Sequence, residues 1–189
     1  MEVKIPKLTA SDIEVRVQQV GKSLAGNNVY ARLLLYKNAR IDMQILDNVF
    51  GVLGWQRRHK EINGKLYCTV SIHDKNNHIW VDKEDVGVSN QANLEVSKQR
   101  NAEKTEASDS FKRACVNVGI GRELYTAPKI YDTLNNSEYT AKSQGGKTKY
   151  TAKPSVSFSV GSIGYNERGE INELVIIDNK NRIRFTYQK

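Results

Sequence analysis

From Ala102 to Tyr125 the chain reads AEKTEASDSFKRACVNVGIGRELY. This stretch constrains the fold more than any other. Ala107, Phe111, Ala114, Cys115 and Val118 recur at the spacing of one buried helical stripe. Gly119 ends the helix, because glycine takes the left-handed position past a C-terminus without steric cost. Lys104, Ser108 and Lys112 form a second row, four residues apart, with Arg113 beside it. One helix therefore offers an apolar stripe to a core and a row of fixed cations elsewhere. A helix with such an apolar stripe needs a sheet or helices to cover it.

A β-meander precedes it. Trp55–Ile62 and Lys65–His73 flank Asn63-Gly64, the strongest short hairpin signal. A two-residue turn there sets Lys60 opposite Tyr67, Arg58 opposite Thr69 and Trp55 opposite Ile72. Leu66, Cys68, Val70 and Ile72 alternate toward the core and take Trp55 with them. Arg58, Lys60 and Tyr67 fall on the other, open face. Cations interleaved with an aromatic suit a surface that tracks a nucleic-acid backbone and stacks bases. The third strand, His78–Ser89, changes apolar parity between Val81 and Val86, which predicts a bulge near Lys83-Glu84. Asn90–Asn93 breaks the pattern before the helix.

Ahead of the meander, Ser11 and Glu14 have capping-box spacing, and Ile13, Val17 and Val20 share a helical face. A short helix is predicted over Ser11–Val20. Gly21–Asn28 reads as a turn and Tyr30–Tyr36 as a strand. Asn38 caps a second helix with core positions Ile41, Ile45, Leu46, Val49 and Phe50, ended by Gly51. Arg40 lies in its first turn, where a cation opposes the helix dipole. That misfit marks Arg40 as a candidate for work outside the helix.

Beyond Pro128, which closes the compact part, residues 135–155 are polar, lysine-bearing and split by Gly145-Gly146; they read as a flexible linker. Val156–Val160, Leu174–Ile177 and Ile183–Tyr187 form a three-stranded meander too small to fold alone. It is expected to dock on the core or on a neighbouring subunit. The predicted fold class is α+β: a β-β-β-α core, a three-stranded antiparallel meander packed on a long helix, with N-terminal helices and a C-terminal β-meander. The expected divisions are a DNA-binding core over 1–134, a linker over 135–155 and the small meander over 156–189.

A chain of 189 residues with a net charge of +8 can bury one sizeable core and favours polyanionic partners. No run of about 18 apolar residues is present, so no membrane span is expected. The opening MEVKIPKLTA has no signal-peptide core. Cys68 and Cys115 sit among apolar neighbours and read as buried thiols in a reducing compartment. Gly119-Ile120-Gly121 lacks a third glycine and follows a helix, so it is no nucleotide fingerprint. His73 and His78 flank a turn without a third metal ligand. Asp82, Glu84 and Asp85, with Glu95 and Lys98, raise a metal-dependent nuclease as an alternative, although their spacing does not match a D…ExK pattern.

Three segments together resemble one family: Asn38–Trp55 (NARIDMQILDNVFGVLGW), Glu84–Ser89 (EDVGVS) and Ala107–Tyr125 (ASDSFKRACVNVGIGRELY). In order and spacing they are similar to phage or prophage members of the Rad52/Rad22 group of single-strand annealing recombination proteins, over roughly residues 8 to 131. Asp109-x-x-Lys112-Arg113-Ala114 and Phe50-Gly51…Gly54-Trp55 carry most of the likeness. The resemblance implies a β-β-β-α core assembled into rings and a basic groove that binds single-stranded DNA. It also implies annealing without ATP or any other cofactor, and no covalent catalysis. It assigns Lys112 and Arg113 to the groove, with Arg40 near the position of a further arginine. Where eukaryotic members carry a further basic residue after the pair, this chain has Cys115 and Val116; where those members carry an aromatic after Phe-Gly, it has Val52. Arg57, Arg58 and Lys60 are candidates to rebuild that contact set. The candidate DNA-binding residues are thus Arg40, Arg57, Arg58, Lys60, Tyr67, Lys104, Lys112 and Arg113. The implied partners are single-stranded DNA, further copies of the chain and a phage exonuclease or single-strand-binding protein, in the cytoplasm of a bacterial host. A nucleic-acid-binding module without annealing activity is the main alternative, with a purely structural ring protein behind it.

Overall fold

The computed structural model describes residues 3–23, 26–88 and 96–189, with side chains throughout these except at 96–103 and 144. Strands dominate: β1 (Glu14–Lys22), β2 (Val29–Tyr36), α1 (Ala39–Phe50), β3 (Trp55–Ile62), β4 (Lys65–Asp74), β5 (Ile79–Val86), α2 (Val96–Val118), β6 (Ile130–Leu134), β7 (Tyr139–Gln144), β8 (Lys147–Ala152), β9 (Phe158–Tyr165), β10 (Ile171–Asp178) and β11 (Ile183–Gln188). The fold mixes two α-helices among the described residues with antiparallel sheets. The chain divides into two compact units, each discontinuous in sequence: Met1–Lys7 with Asn38–Arg122, and Leu8–Lys37 with Glu123–Lys189.

In the first unit, Asn38 accepts from the backbone N–H groups of Arg40 and Ile41 and so opens α1, as its sequence position predicts. Ile45 and Leu46 are buried, and Gly51 leaves the helix at φ 85°. The chain then folds back tightly: a Cβ at Gly54 would stand 2.0 Å from the Phe50 carbonyl oxygen, so only glycine fits. The turn places Trp55 so that its Nε1–H donates to Asp47 at 2.7 Å. Asn63 and Gly64 take φ 52° and 72°, the conformation a tight hairpin demands. The expected register follows, with Lys60 opposite Tyr67, Arg58 opposite Thr69 and Trp55 opposite Ile72.

The sheet order is β3-β4-β5, and α2 packs on β4 and β5. Cys68, Val70, Phe111, Ala114 and Cys115 form the core between helix and sheet. Neither cysteine is in a disulfide, and burial pushes the Cys68 thiol up to about 11. A Cβ at Gly87 would meet the Glu106 carbonyl oxygen at 2.5 Å, so the glycine of EDVGVS lets the end of β5 pass against the α2 backbone. The bulge expected near Lys83-Glu84 is absent: β5 pairs with β4 without a break from Ile79 to Val86. Its apolar parity changes because Ile79, Trp80 and Val81 are all exposed on an edge strand and obey no core alternation. Asn90–Asn93 and Glu95 lie outside the described residues.

The second unit corrects two further expectations. Ser11–Val20 is not a helix. Thr9 and Asp12 bracket one 3-10 turn, and β1 follows, paired with β2 throughout its length. A register shift between Val17 and Gln19 moves Val20 to the opposite parity, and this produced the helix-like spacing. Residues 135–155 are not a linker. β7 and β8 form a hairpin through Gly145-Gly146, both at positive φ, and the strand-forming Thr and Tyr residues within it were masked by lysine. β6 pairs with β2, so the ordered fold continues past Pro128. The C-terminal meander does not stand alone: β9 pairs with β1, giving a six-stranded sheet of order β11-β10-β9-β1-β2-β6. Leu33, Ile130, Phe158, Leu174 and Ile176 are among its buried residues.

Candidate nucleic-acid interface

The residues singled out from the sequence all fall in the first unit. Cross-strand partners share a face, so Arg58, Lys60 and Tyr67 share one side of the sheet with Thr69. β5 brings anions to that side. Asp82 and Glu84 stand opposite Ser71 and Thr69. Lys60 Nζ reaches Glu84 Oε2 at 2.7 Å, and the Thr69 hydroxyl donates to the same oxygen at 2.6 Å. The hydrogen bond from Lys60 chiefly, then that from Thr69, holds the Glu84 carboxyl below its ordinary value. The open face therefore has a cationic margin on β3 and an anionic one on β5.

Arg57 points the other way. Its guanidinium lies 4.7 Å over the Phe111 ring, which stacks on Trp55 at 6.1 Å. The His59 ring meets the Ala107 carbonyl at 3.2 Å on the same side. Arg57 is thus grouped with α2 and not with Arg58. On α2, Lys104 is exposed, while Lys112 and Arg113 are half-buried. Arg113 is not open: Nη2 and Nε stand 3.2 and 3.3 Å from Asp85 Oδ1. Arg40 is exposed in the first turn of α1, beside the Asn38 cap.

Apart from Arg40 on α1, the candidates therefore form two groups on opposite sides of the sheet. Two carboxylates, Glu84 and Asp85, restrain one cation of each group. The sequence signal for them was the β4–β5 register, which the expected bulge obscured. The same two carboxylates are spent in ion pairs, which weakens a nuclease reading of the acidic cluster. The motif residues are partly scaffold: Asp109 accepts from the Val88 N–H at 3.1 Å, and Asn117 donates to the Glu84 carbonyl at 2.9 Å. They fix α2 against the end of β5. This arrangement can neutralise phosphates and hold a chain by charge.

A family model described as Rad52/22 family double-strand break repair protein matches residues 5–143, which include every candidate above. No curated protein and no solved structure gives a significant match. No helix among the described residues is long and apolar enough to cross a membrane. The match spans well over half the chain and contains the segments on which the sequence resemblance rests, so this chain belongs to the Rad52/22 family of double-strand break repair proteins and is a Rad52-like single-strand annealing protein of DNA recombination and repair.

Proposed function

We propose that the β3–β4–β5 meander and α2 form the annealing core, and that many copies of it bind single-stranded DNA and pair complementary strands without ATP, as a ring or filament. The observation that carries this reading is the placement of Lys104, Lys112 and Arg113 off the buried stripe of α2, on a helix pinned at both ends of its contact with β5.

The mechanism is physical. Lysine and arginine neutralise phosphates and hold the backbone extended, and the bases stay open to a second strand. Asp85 and Glu84 hold Arg113 and Lys60 in the unbound protein, and an incoming phosphate takes their place. Such part-exposed pairs are worth about 0–1 kcal/mol, so the exchange costs little. Each phosphate contacted lowers log K by about 0.7 per decade of salt. One unit touches few phosphates, and assembly multiplies the contacts. No covalent step is needed.

Annealing of complementary oligonucleotides without nucleotide, with particle mass measured in parallel, tests the reading. Strand pairing by large particles supports it. Equal retention of duplex, RNA and single strand at one salt concentration, without pairing, would favour a binding module that does not anneal.

A further inference from the structure

We propose that the lysine face of the β7–β8 hairpin, in the second unit, grips the backbone of double-stranded DNA and so retains the annealed product. The proposal rests on the annealing reading above. Two of its three cations, Lys147 and Lys149, lie past the residues that the family model matches.

Residues 139–153, YTAKSQGGKTKYTAK, hold four lysines and no carboxylate. Among the described residues β7 and β8 pair only with each other. Their register sets Tyr139, Ala141 and Ser143 opposite Ala152, Tyr150 and Thr148 on one face. Thr140 and Lys142 stand opposite Thr151 and Lys149 on the other, which Lys147 shares. The two faces differ in burial. Tyr139, Tyr150 and Ala152 are half-buried, with the tyrosine rings edge-on at 5.9 Å. Thr140, Lys142, Lys147, Lys149 and Thr151 are all exposed. The hairpin is held at its base. β8 packs beside β1, and the Lys153 N–H donates to the Glu138 carbonyl at 2.9 Å. The Glu138 carboxylate is in turn bound by Arg184 at 2.8 Å. The lysines therefore stand on a strand pair with a fixed root.

The charge on that face is uncompensated. Lys142 stands directly across from Lys149. Like charges in that position destabilise a strand pair, and among the described residues no carboxylate pairs with Lys142, Lys147 or Lys149. A polyanion laid on the face removes this repulsion.

Two features select a duplex over a single strand. Lys147 and Lys149 are roughly 7 Å apart along β8, with Lys142 across the ladder, so three cations share one small patch. Duplex DNA carries a charge about every 1.7 Å of its axis, twice the density of one strand. Single strands are held by stacking bases on aromatic side chains, and the lysine face has no aromatic. Its tyrosines lie on the other face. What remains is ammonium groups and the Thr151 hydroxyl, donors that contact phosphate without reading sequence. The grip is therefore indifferent to which strands have been paired.

The test is the full chain with Lys142→Gln, Lys147→Gln and Lys149→Gln together. Relief of the Lys142–Lys149 repulsion should leave the melting transition unchanged or raised. Fluorescence anisotropy with a labelled duplex should show affinity lower by about tenfold at low salt and a log K against log salt slope shallower by up to about 2.7, three phosphates' worth. Single-strand affinity and slope should not move, and Lys→Arg at the same three positions should keep duplex binding. An unchanged duplex slope overturns the proposal. So does an equal loss of single-strand binding, or an equal loss of binding to polyglutamate, which would make the face a general polyanion patch. If the glutamine variant unfolds, Lys142→Thr alone should flatten the duplex slope by about 0.9, and no change overturns the proposal. A chain that anneals with its duplex slope indifferent to these lysines overturns the grip alone. A chain that holds duplex through them but pairs no strands overturns the annealing reading alone.

Discussion

Arg113 turns its guanidinium onto Asp85, with Nη2 standing 3.2 Å from Oδ1. The pair bridges α2 and the end of β5. Its side chains keep 41% and 24% of their exposure, so its contribution to stability is at most about 1 kcal/mol. Asp85 Oδ1 also accepts from the Val86 N–H at 2.8 Å, and an asparagine can keep that bond. Asp85→Asn should therefore leave folding intact, release Arg113 and raise affinity for single-stranded DNA up to about fivefold at low salt. Fluorescence anisotropy with a labelled oligonucleotide reads this. Unchanged affinity would mean that Arg113 makes no phosphate contact.

In the second unit, Arg184 on β11 grips Asp132 on β6 through Nε–Oδ1 and Nη2–Oδ2 at 3.0 and 2.7 Å. These strands lie at opposite ends of the six-stranded sheet. Glu138 and Asp178 bind the same guanidinium at 2.8 and 3.1 Å, and Arg184 is only 8% exposed. Arg184→Gln would leave three carboxylates together without their central cation. It should cost about 3–5 kcal/mol in urea unfolding at neutral pH, the penalty for breaking a buried pair. A loss below about 1 kcal/mol would show that the cluster relaxes into water.

The same cluster sets an acid limit. The hydrogen bond from Arg184 chiefly lowers the Glu138 carboxyl, and that from Arg182 chiefly lowers Asp178. Groups lowered on folding give stability that is complete above their unfolded value, about pH 4, and is lost as pH falls through the lower folded one. Asp132 is raised, chiefly by burial, and opposes this as pH falls from its raised folded value to its unfolded one. Two lowered groups against one raised group predict a net loss of stability as pH falls below about 4. Arg184→Gln should flatten that limb in melting curves taken against pH. An unchanged limb would place the acid-sensitive groups elsewhere.

Phe111 is fully buried, stacked with the Trp55 ring and covered by the Arg57 guanidinium. Phe111→Ala should cost about 3–5 kcal/mol by urea unfolding, from lost transfer energy and a cavity. It should also release Arg57 from the helix side. A loss under about 1 kcal/mol would mean that the ring does not organise the helix–sheet core.

Legibility in the sequence followed locality. Asn63-Gly64 specified its turn and, through period-2 alternation, every β3–β4 pair. Asn38 and Gly51 bounded α1 because capping is a matter of a few residues. Val17 and Val20 misled because a strand with one extra residue and a helix put apolar groups at similar spacing. The β7–β8 hairpin was hidden by composition, since lysine on both strands looks like solvated coil. At the candidate site, sequence located the cations and the face that carries Arg58, Lys60 and Tyr67. It could not show that Glu84 and Asp85 restrain them. Those contacts join residues 24 and 28 apart, so they depend on the register of β5 and on how α2 lies across it.

The salt dependence of single-stranded DNA binding by the Lys112→Ala/Arg113→Ala chain tests the central claim most directly. The account predicts a folded protein with weaker binding and a log K against log salt slope shallower by about 1.4, two phosphates' worth, for each subunit engaged. A slope identical to that of the unaltered chain would contradict it and remove α2 from the DNA path.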